Sequence, residues 1–341
     1  LAGRDRETSA SYYTPESLTR LTVELTLRER LDQDGRTTPA RELLEWTICE
    51  PALGSGAFLN EAINQVAEEY LKRREQELDE RLDPEVRREE LQKAKAYIAL
   101  HNSYGVDLND TALVLAKVSL WLNVMHQGLQ APWFGLHLRR GNSLVGCGRR
   151  FYAPDQLKLK AWLKAAPVDH PFREGRRPEG HIHHFLLPAH GWGVASAEKE
   201  AKNLAPESAK QLGKWRNQMR KQPTGGNGKK SQTNRLKALA GRVEYLWDLV
   251  IRRLEISERE ISRRIDVWGA EGIDQPQDAV PREKVLADLQ REGTPFWRLK
   301  TLMDTWCALW FWPVQAAGML DGTDEEYARL GAIGEISGPG G

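Results

Sequence analysis

The chain has 341 residues, 40% of them hydrophobic and 28% charged, and its 49 Lys and Arg nearly balance 48 Asp and Glu to leave a formal net charge of +1. That length accommodates one large α/β domain and a second unit, and no apolar run approaches the roughly 20 residues needed to cross a bilayer, so no membrane partner is expected. The polar opening LAGRDRETSA lacks the apolar core of a signal peptide. Cys49, Cys147 and Cys307 lie far apart and form neither a disulfide framework nor a CxxC pair, so a reducing cytoplasm is the expected setting.

In chain order, Leu18, Leu21, Val23, Leu25 and Leu27 predict an amphipathic helix from Pro15 to Leu31, with Thr14 and Pro15 as its N-cap and first-turn proline. Glu45 to Glu50 is a short apolar run suited to a buried strand, and it stops at Pro51. A glycine loop follows, then helices from Ala57 to about Leu78 and from Pro84 to about Ala99. A second strand is predicted at Ser103 to Asp107. Asp110 suits the N-cap of the next helix, which carries Leu113, Leu115, Val118, Leu120, Trp121 and Val124. A third strand is placed at Leu136 to Leu138. Strands alternating with helices imply a parallel sheet, and all three strands end in polar or glycine residues, where open α/β sheets bind ligands.

Beyond about residue 150 the alternation fades. Between Ser196 and Arg242 twelve Lys and Arg face three acids, Glu198, Glu200 and Glu207. Such a stretch could meet phosphates, because Lys and Arg contacts release counterions from a polyanion; the alternative is a solvated helix face with a mobile loop at Gln222 to Gln232. Within it Lys214, Arg216, Arg220, Lys221, Lys229 and Lys230 are the candidate DNA contacts. Leu236, Leu239, Val243, Leu246 and Val250 predict a long helix from Asn234 to about Trp268, with the aromatic segment Thr294 to Trp312 as its packing partner. The ring spacing over Trp306 to Trp312 suits core burial better than base stacking. His170, His181, His183, His184 and His190 are clustered, but no Cys or carboxylate stands nearby at ligand spacing, so they are expected to be incidental histidines of an exposed strand or loop, with no metal.

The most specific signal is Glu50-Pro51-Ala52-Leu53-Gly54-Ser55-Gly56-Ala57-Phe58, lying between a predicted strand and a predicted helix. Gly54 and Gly56 let the backbone turn sharply and approach a ligand, and the following helix offers its first N–H groups. The full G-x-G-x-x-G pattern is missing and so is a P-loop lysine, which argues against a dinucleotide and against ATP.

Here the chain resembles the gamma-type amino-methyltransferases of DNA, whose first motif reads Asp/Glu-Pro-Ala-x-Gly-Ser-Gly-x-Phe. Glu50, Pro51, Ala52, Gly54, Ser55, Gly56 and Phe58 match it. Tyr12-Tyr13-Thr14-Pro15 resembles the family's upstream motif, which contacts the methionine part of S-adenosylmethionine (SAM). Tyr104 to Asn109 resembles the end of its second strand, which makes Asp107 the acid for the ribose hydroxyls, with Leu108 beside it. Gly141-Asn142-Ser143-Leu144 stands where the family has Gly-Asp-Ser-Leu. Asn142 keeps a carbonyl acceptor for the adenine amino group of SAM but loses the charge.

The resemblance implies an α/β, Rossmann-like SAM-dependent methyltransferase sheet with a mainly helical insertion or second domain. The expected organisation is a SAM-binding core over 1–150, a basic, partly flexible insertion over 151–233, a helical region over 234–330 and a disordered tail over 331–341. The implied activity is methyl transfer from SAM to adenine N6 in DNA within a restriction-modification or BREX- or DISARM-like phage-defence system, with other restriction or defence subunits as partners. Cytosine N4 is the alternative target, and a catalytically silent SAM- or DNA-binding component is the alternative role. The family's catalytic Asn/Asp/Ser-Pro-Pro-aromatic motif has no counterpart, since the chain contains neither Asn-Pro nor Pro-Pro. The chain is therefore read as a partial enzyme, inactive when isolated, with no catalytic residue assigned.

Overall fold

A computed structural model describes residues 14–129, 131–225, 231–261, 264–271 and 282–321. Tyr12, Tyr13, Lys229, Lys230 and the tail at 331–341 lie outside the described residues. Contacts divide the chain into two units, Leu1–Leu144 with Arg253–Gln290 and Val145–Arg252 with Arg291–Gly341. Residues 264–271 belong to the first unit for a visible reason. The Tyr70 hydroxyl donates to the Trp268 carbonyl at 2.7 Å, and the Trp268 N–H donates to Glu90 at 3.0 Å. The expectation had instead kept 234–330 together as one helical region.

Among the described residues the first helix of the first unit is α1 (Glu16–Arg30), whose N-cap position is Pro15 rather than Thr14, with no side-chain cap bond. Leu27 packs on the core, whereas Leu18, Leu21 and Leu25 are exposed. The short helix α2 (Ala40–Leu43) leads to strand β1 (Ile48–Glu50). The strand is shorter than the expected 45–50 because the carbonyls of Leu44 and Trp46 are taken by the Asn102 amide, both at 2.7 Å. Helix α3 (Ala57–Leu78) buries Leu59, Ile63, Val66 and Tyr70, an i, i+4, i+7, i+11 stripe on its core face. Helix α4 (Pro84–Tyr97) ends in a π turn (Ile98–Asn102) that delivers Asn102 to those carbonyls.

Strand β2 (Ser103–Asp107) follows, then α5 (Asp110–Val124) and β3 (Leu138–Arg140). The cap of α5 is Asn109, whose side chain accepts the Thr111 N–H at 2.9 Å; Asp110, the expected cap, is the first helical residue and pairs with Arg140. Strand β3 begins two residues later than Leu136. His137 is instead turned inward, bridging the Ser103 carbonyl at 3.0 Å and the Glu258 carboxylate at 2.8 Å while stacking on Tyr104. The strands are parallel in the order β1-β2-β3, with Glu50 opposite Gly105 and Asp107 opposite Arg140. The architecture is α/β, mostly helical, around a small parallel sheet. Of the apolar positions predicted for α5, Leu113, Leu120 and Val124 are buried, while Leu115, Val118 and Trp121 are exposed.

The second unit holds an antiparallel sheet in which β4 (Arg150–Tyr152) lies between β5 (Val168–Asp169) and β6 (Ile182–His183). Its helices are α6 (Lys199–Leu204), α7 (Pro206–Met219), the part of α8 (Gln232–Ile261) through Arg252, α9 (Pro295–Ala308) and α10 (Ala317–Asp321). Among the described residues α8 ends at Ile261, short of the expected Trp268. A charged cluster is buried here. Arg149 pairs with Glu244 of α8, donates to the carbonyls of His170 and Gly175, and lies over the Phe172 ring.

The histidines are not the exposed set expected. His183 is fully buried beside Glu244, and buried His184 accepts the Gly148 N–H at 3.3 Å. Their neighbours are a carboxylate, an amide and the rings of Phe151, Phe185 and Trp306, several of them distant in the chain and so not marked by local residue spacing. Among the described residues no three His, Cys, Asp or Glu side chains come together to hold a metal. Cys147 and Cys307, far apart in sequence, lie 3.7 Å apart at sulfur. The aromatic segment is only partly core. Trp306 donates to the Leu187 carbonyl, but α9 ends at Ala308, so Trp310 and Phe311 leave the helical face and are exposed.

Burial lowers the affinity of both histidines for a proton, and for His184 burial followed by the charge of Arg150 brings the pKa from 6.5 to about 4. In Glu244 burial alone would raise the pKa, but hydrogen bonds from His183 and Arg149 hold it at about 2. A histidine that stays neutral when folded contributes stability that is complete above its unfolded pKa of 6.5 and is lost as pH falls toward about 4. The melting temperature is therefore expected to fall as pH drops below 6.5. His184→Gln, which keeps an acceptor for Gly148, should flatten that decline, and an identical slope in the variant would refute the assignment.

Candidate functional site

The carboxyl ends of β1 and β2 are fastened together by the glycine loop. The Leu53 N–H donates to the Val106 carbonyl at 3.0 Å, and the Gly54 N–H donates to Asp107 Oδ2 at 2.7 Å. Gly54 sits at φ +53° with open space where a Cβ would project, and Gly56, at φ +80°, caps α3 with its would-be Cβ 3.4 Å from Ala116. Both conformations are left-handed and favour glycine. The other oxygen of Asp107 accepts the Asn109 N–H at 2.8 Å, so the carboxylate is held in a fixed orientation with a lone pair left on each oxygen.

Gly105 makes this approach possible. A Cβ there would stand 2.8 Å from Leu53 Cδ1 and 3.1 Å from Leu138 Cδ2. Leu53 is itself buried, so its methyls have nowhere to retreat. The sequence reading did not single out Gly105 or Leu53, although a glycine inside a strand signals the close approach of another segment.

Glu50 ends β1 beside this loop. Its carboxylate accepts the Leu59 N–H in the first turn of α3, where the helix dipole favours an anion. Its Oε2 is buried and has no hydrogen-bond partner. Burial first, and then the charge of Asp107, raise its pKa from 4.5 to about 7 against the opposing Leu59 hydrogen bond. A cavity of about 520 Å³ runs along α1, β1 and α3, lined by Val23, Leu27, Cys49, Glu50, Pro51 and Phe58 among others. Among the described residues β1 pairs only with β2, so this cavity follows its open edge.

The remaining candidates are distributed around these groups. Pro51, Ala52 and Ser55 are exposed on the loop and Leu108 is exposed after β2. Thr14 and Pro15 stand at the entry to α1, the helix that forms one wall of the cavity. Asn142 and Ser143 are exposed beyond β3, and the Asn142 side-chain carbonyl already accepts the Leu144 N–H at 2.9 Å. Tyr13 lies outside the described residues. The structure thus joins Glu50, Gly54 and Asp107 and shows no hydrogen bond from them to Asn142.

Residues 34–131 match the family model described as MmeI, DNA-methyltransferase domain. A protein of Methanocaldococcus jannaschii named as a type II restriction enzyme and methyltransferase is 33% identical over 138 residues, covering 36% of this chain and 11% of that protein. The chain therefore corresponds to a small part of that relative. No solved structure matches. The two matches support a DNA-methyltransferase domain in a restriction-modification context. The family model spans β1, the glycine loop and β2, with both carboxylates inside it. No helix among the described residues is long and apolar enough to cross a membrane.

Two outcomes test the geometry. Gly105→Ala should cost about 1–3 kcal/mol by overpacking, read from denaturant unfolding, and should loosen the loop that Leu53 anchors; an unchanged midpoint would contradict the close approach. An acid whose pKa is raised on folding contributes stability that is complete below its unfolded value and lost as pH rises through the folded one. Raising the pH from 5 through about 7 should therefore lower the melting temperature of the wild type relative to Glu50→Gln. A difference independent of pH would contradict the burial of that carboxyl.

Proposed function

We propose that this chain supplies the SAM-binding half of a DNA methyltransferase that transfers a methyl group to adenine N6, within a restriction-modification or phage-defence system. The observation that carries the reading is the pair of carboxylates on adjacent parallel strands, Asp107 oriented by the Gly54 N–H and Glu50 with a buried oxygen that lacks a donor. These residues fit SAM. Asp107 retains acceptor capacity for two vicinal ribose hydroxyls, and the unsatisfied Glu50 oxygen suits a cationic donor such as the α-ammonium of the methionine moiety.

In this reading SAM brings a methyl group activated on a sulfonium. Gly54 and Gly56 keep the loop free of Cβ atoms at the cofactor, the start of α3 presents its N–H groups, and Thr14, Pro15 and Phe58 wall the methionine end. Asn142 and Ser143 lie toward the adenine end, where an amide in place of a carboxylate weakens one contact. The transfer itself requires groups that hold and polarise the target amine. The absence of Asn-Pro and Pro-Pro from the sequence leaves those groups unassigned and favours, as a second reading, a component that binds SAM without transferring by itself. DNA is the proposed partner, together with other restriction or defence subunits, and the cytoplasm the proposed location.

Calorimetry with SAM tests the cofactor claim. Asp107→Asn removes a charge-assisted hydrogen bond worth about 1.5–3 kcal/mol, so affinity should fall roughly 10- to 100-fold; no heat at millimolar SAM, or equal affinity in the variant, would count against the site. A labelled-methyl assay on duplex DNA, followed by nucleoside analysis, distinguishes N6-methyladenine from N4-methylcytosine. Cofactor binding without any transfer favours the second reading.

A further inference from the structure

Helix α7 presents a lane of basic side chains that form no ion pair among the described residues, with Glu207 of its first turn the one acid on the helix. Lys210, Lys214, Asn217 and Lys221 recur at intervals of four, three and four residues, so the first three share one face of α7 and Lys221 extends it just past the helix end. All four are exposed, while the opposite face buries Ala209, Leu212 and Trp215. At 1.5 Å per residue the lane is about 16 Å long. Among the described residues none of the three lysine ammoniums has an ion pair or hydrogen bond, in contrast to Lys72 and Lys93 of the first unit, which pair with Glu69 and Glu90. Like charges at i, i+4 disfavour a helix. A row of them without ion pairs opposes folding and is relieved by an extended polyanion.

The candidates read from the sequence divide here. Lys214 and Lys221 lie on the lane, and Lys210 joins them. Arg216 and Arg220 are turned away, each donating to the His190 carbonyl, so they brace α7 and are withdrawn from the lane. Lys229 and Lys230 lie outside the described residues.

We propose that this face of α7 contacts the sugar-phosphate backbone of duplex DNA. Three lysine ammoniums and the Asn217 amide follow the phosphates without reading base edges, which positions the duplex and leaves sequence choice to other elements. The proposal rests on the reading that the protein acts on DNA, and it adds where the second unit meets that partner.

The test is fluorescence anisotropy of the full chain with two duplexes of unrelated sequence, from 50 to 200 mM salt. Each lost phosphate contact should lessen the slope of log affinity against log salt by about 0.9. Lys210→Gln/Lys214→Gln/Lys221→Gln should therefore flatten the slope by about 2.7 on both duplexes, so that the wild type loses about 40-fold more affinity than the variant over that range. Lys158→Gln/Lys164→Gln, which removes exposed charge elsewhere in the second unit, should leave the slope unchanged, and circular dichroism should match the wild type for both variants. An unchanged slope in the triple variant, an equal flattening in the control, tighter binding to polyglutamate than to the duplexes, or no duplex binding at 50 mM salt would each overturn the proposal. Calorimetry with SAM on the same samples separates that failure from a failure of the cofactor reading.

Discussion

The hydrogen bond from the Gly54 N–H to Asp107 ties two strand ends into one structure. It forms because Gly54 can take a left-handed backbone and because the neighbouring Leu53 is accepted against Gly105 on β2. A backbone donor and a carboxylate make a stronger bond than two neutral groups. Its geometric effect matters more here, since it fixes the plane of Asp107 and sets the height of the loop above the sheet. Glu50 is drawn into the same arrangement by the N-terminus of α3, which begins where the loop ends.

That compactness has an electrostatic cost concentrated on Glu50. Two carboxylates at neighbouring strand ends repel each other. Asp107 is supplied with two backbone N–H groups, while Glu50 receives one and keeps a buried oxygen without a donor. Perturbed titration combined with an unsatisfied polar atom beside a cavity is the pattern of a binding site rather than of a core. The open edge of β1 and the apolar cavity along it place this imbalance at a surface rather than deep in the interior.

The second unit pairs its buried charges with one another. Buried Arg149 and His183 both pair with the half-buried Glu244, and Arg149 also donates to loop carbonyls and lies against aromatic rings, although Arg149 Nε and His183 Nδ1 keep no hydrogen-bond partner. Removing one member of such a set strands the others, so it specifies one arrangement of the loop around β4 more firmly than it adds net stability. On the exposed face of α7 the lysines Lys210 and Lys214 face solvent and form no ion pair among the described residues.

The sequence by itself determined those elements of the first unit whose signals are local. The ends of α3 and the full extent of β2 followed from the glycine loop, the apolar run and the change of period, and Glu50 and Asp107 were named from the resemblance of their motifs to the amino-methyltransferases of DNA. Only the tertiary structure decided which groups meet. It moved the cap of α5 from Asp110 to Asn109, buried His183 and His184, brought Cys147 to Cys307, exposed Trp310 and Phe311, and turned Arg216 and Arg220 back onto His190. Apart from the cap, those outcomes depend on a partner far away in the chain or on where a helix stops. Periodicity and residue type register neither, because they report what a segment prefers and not what it will be packed against.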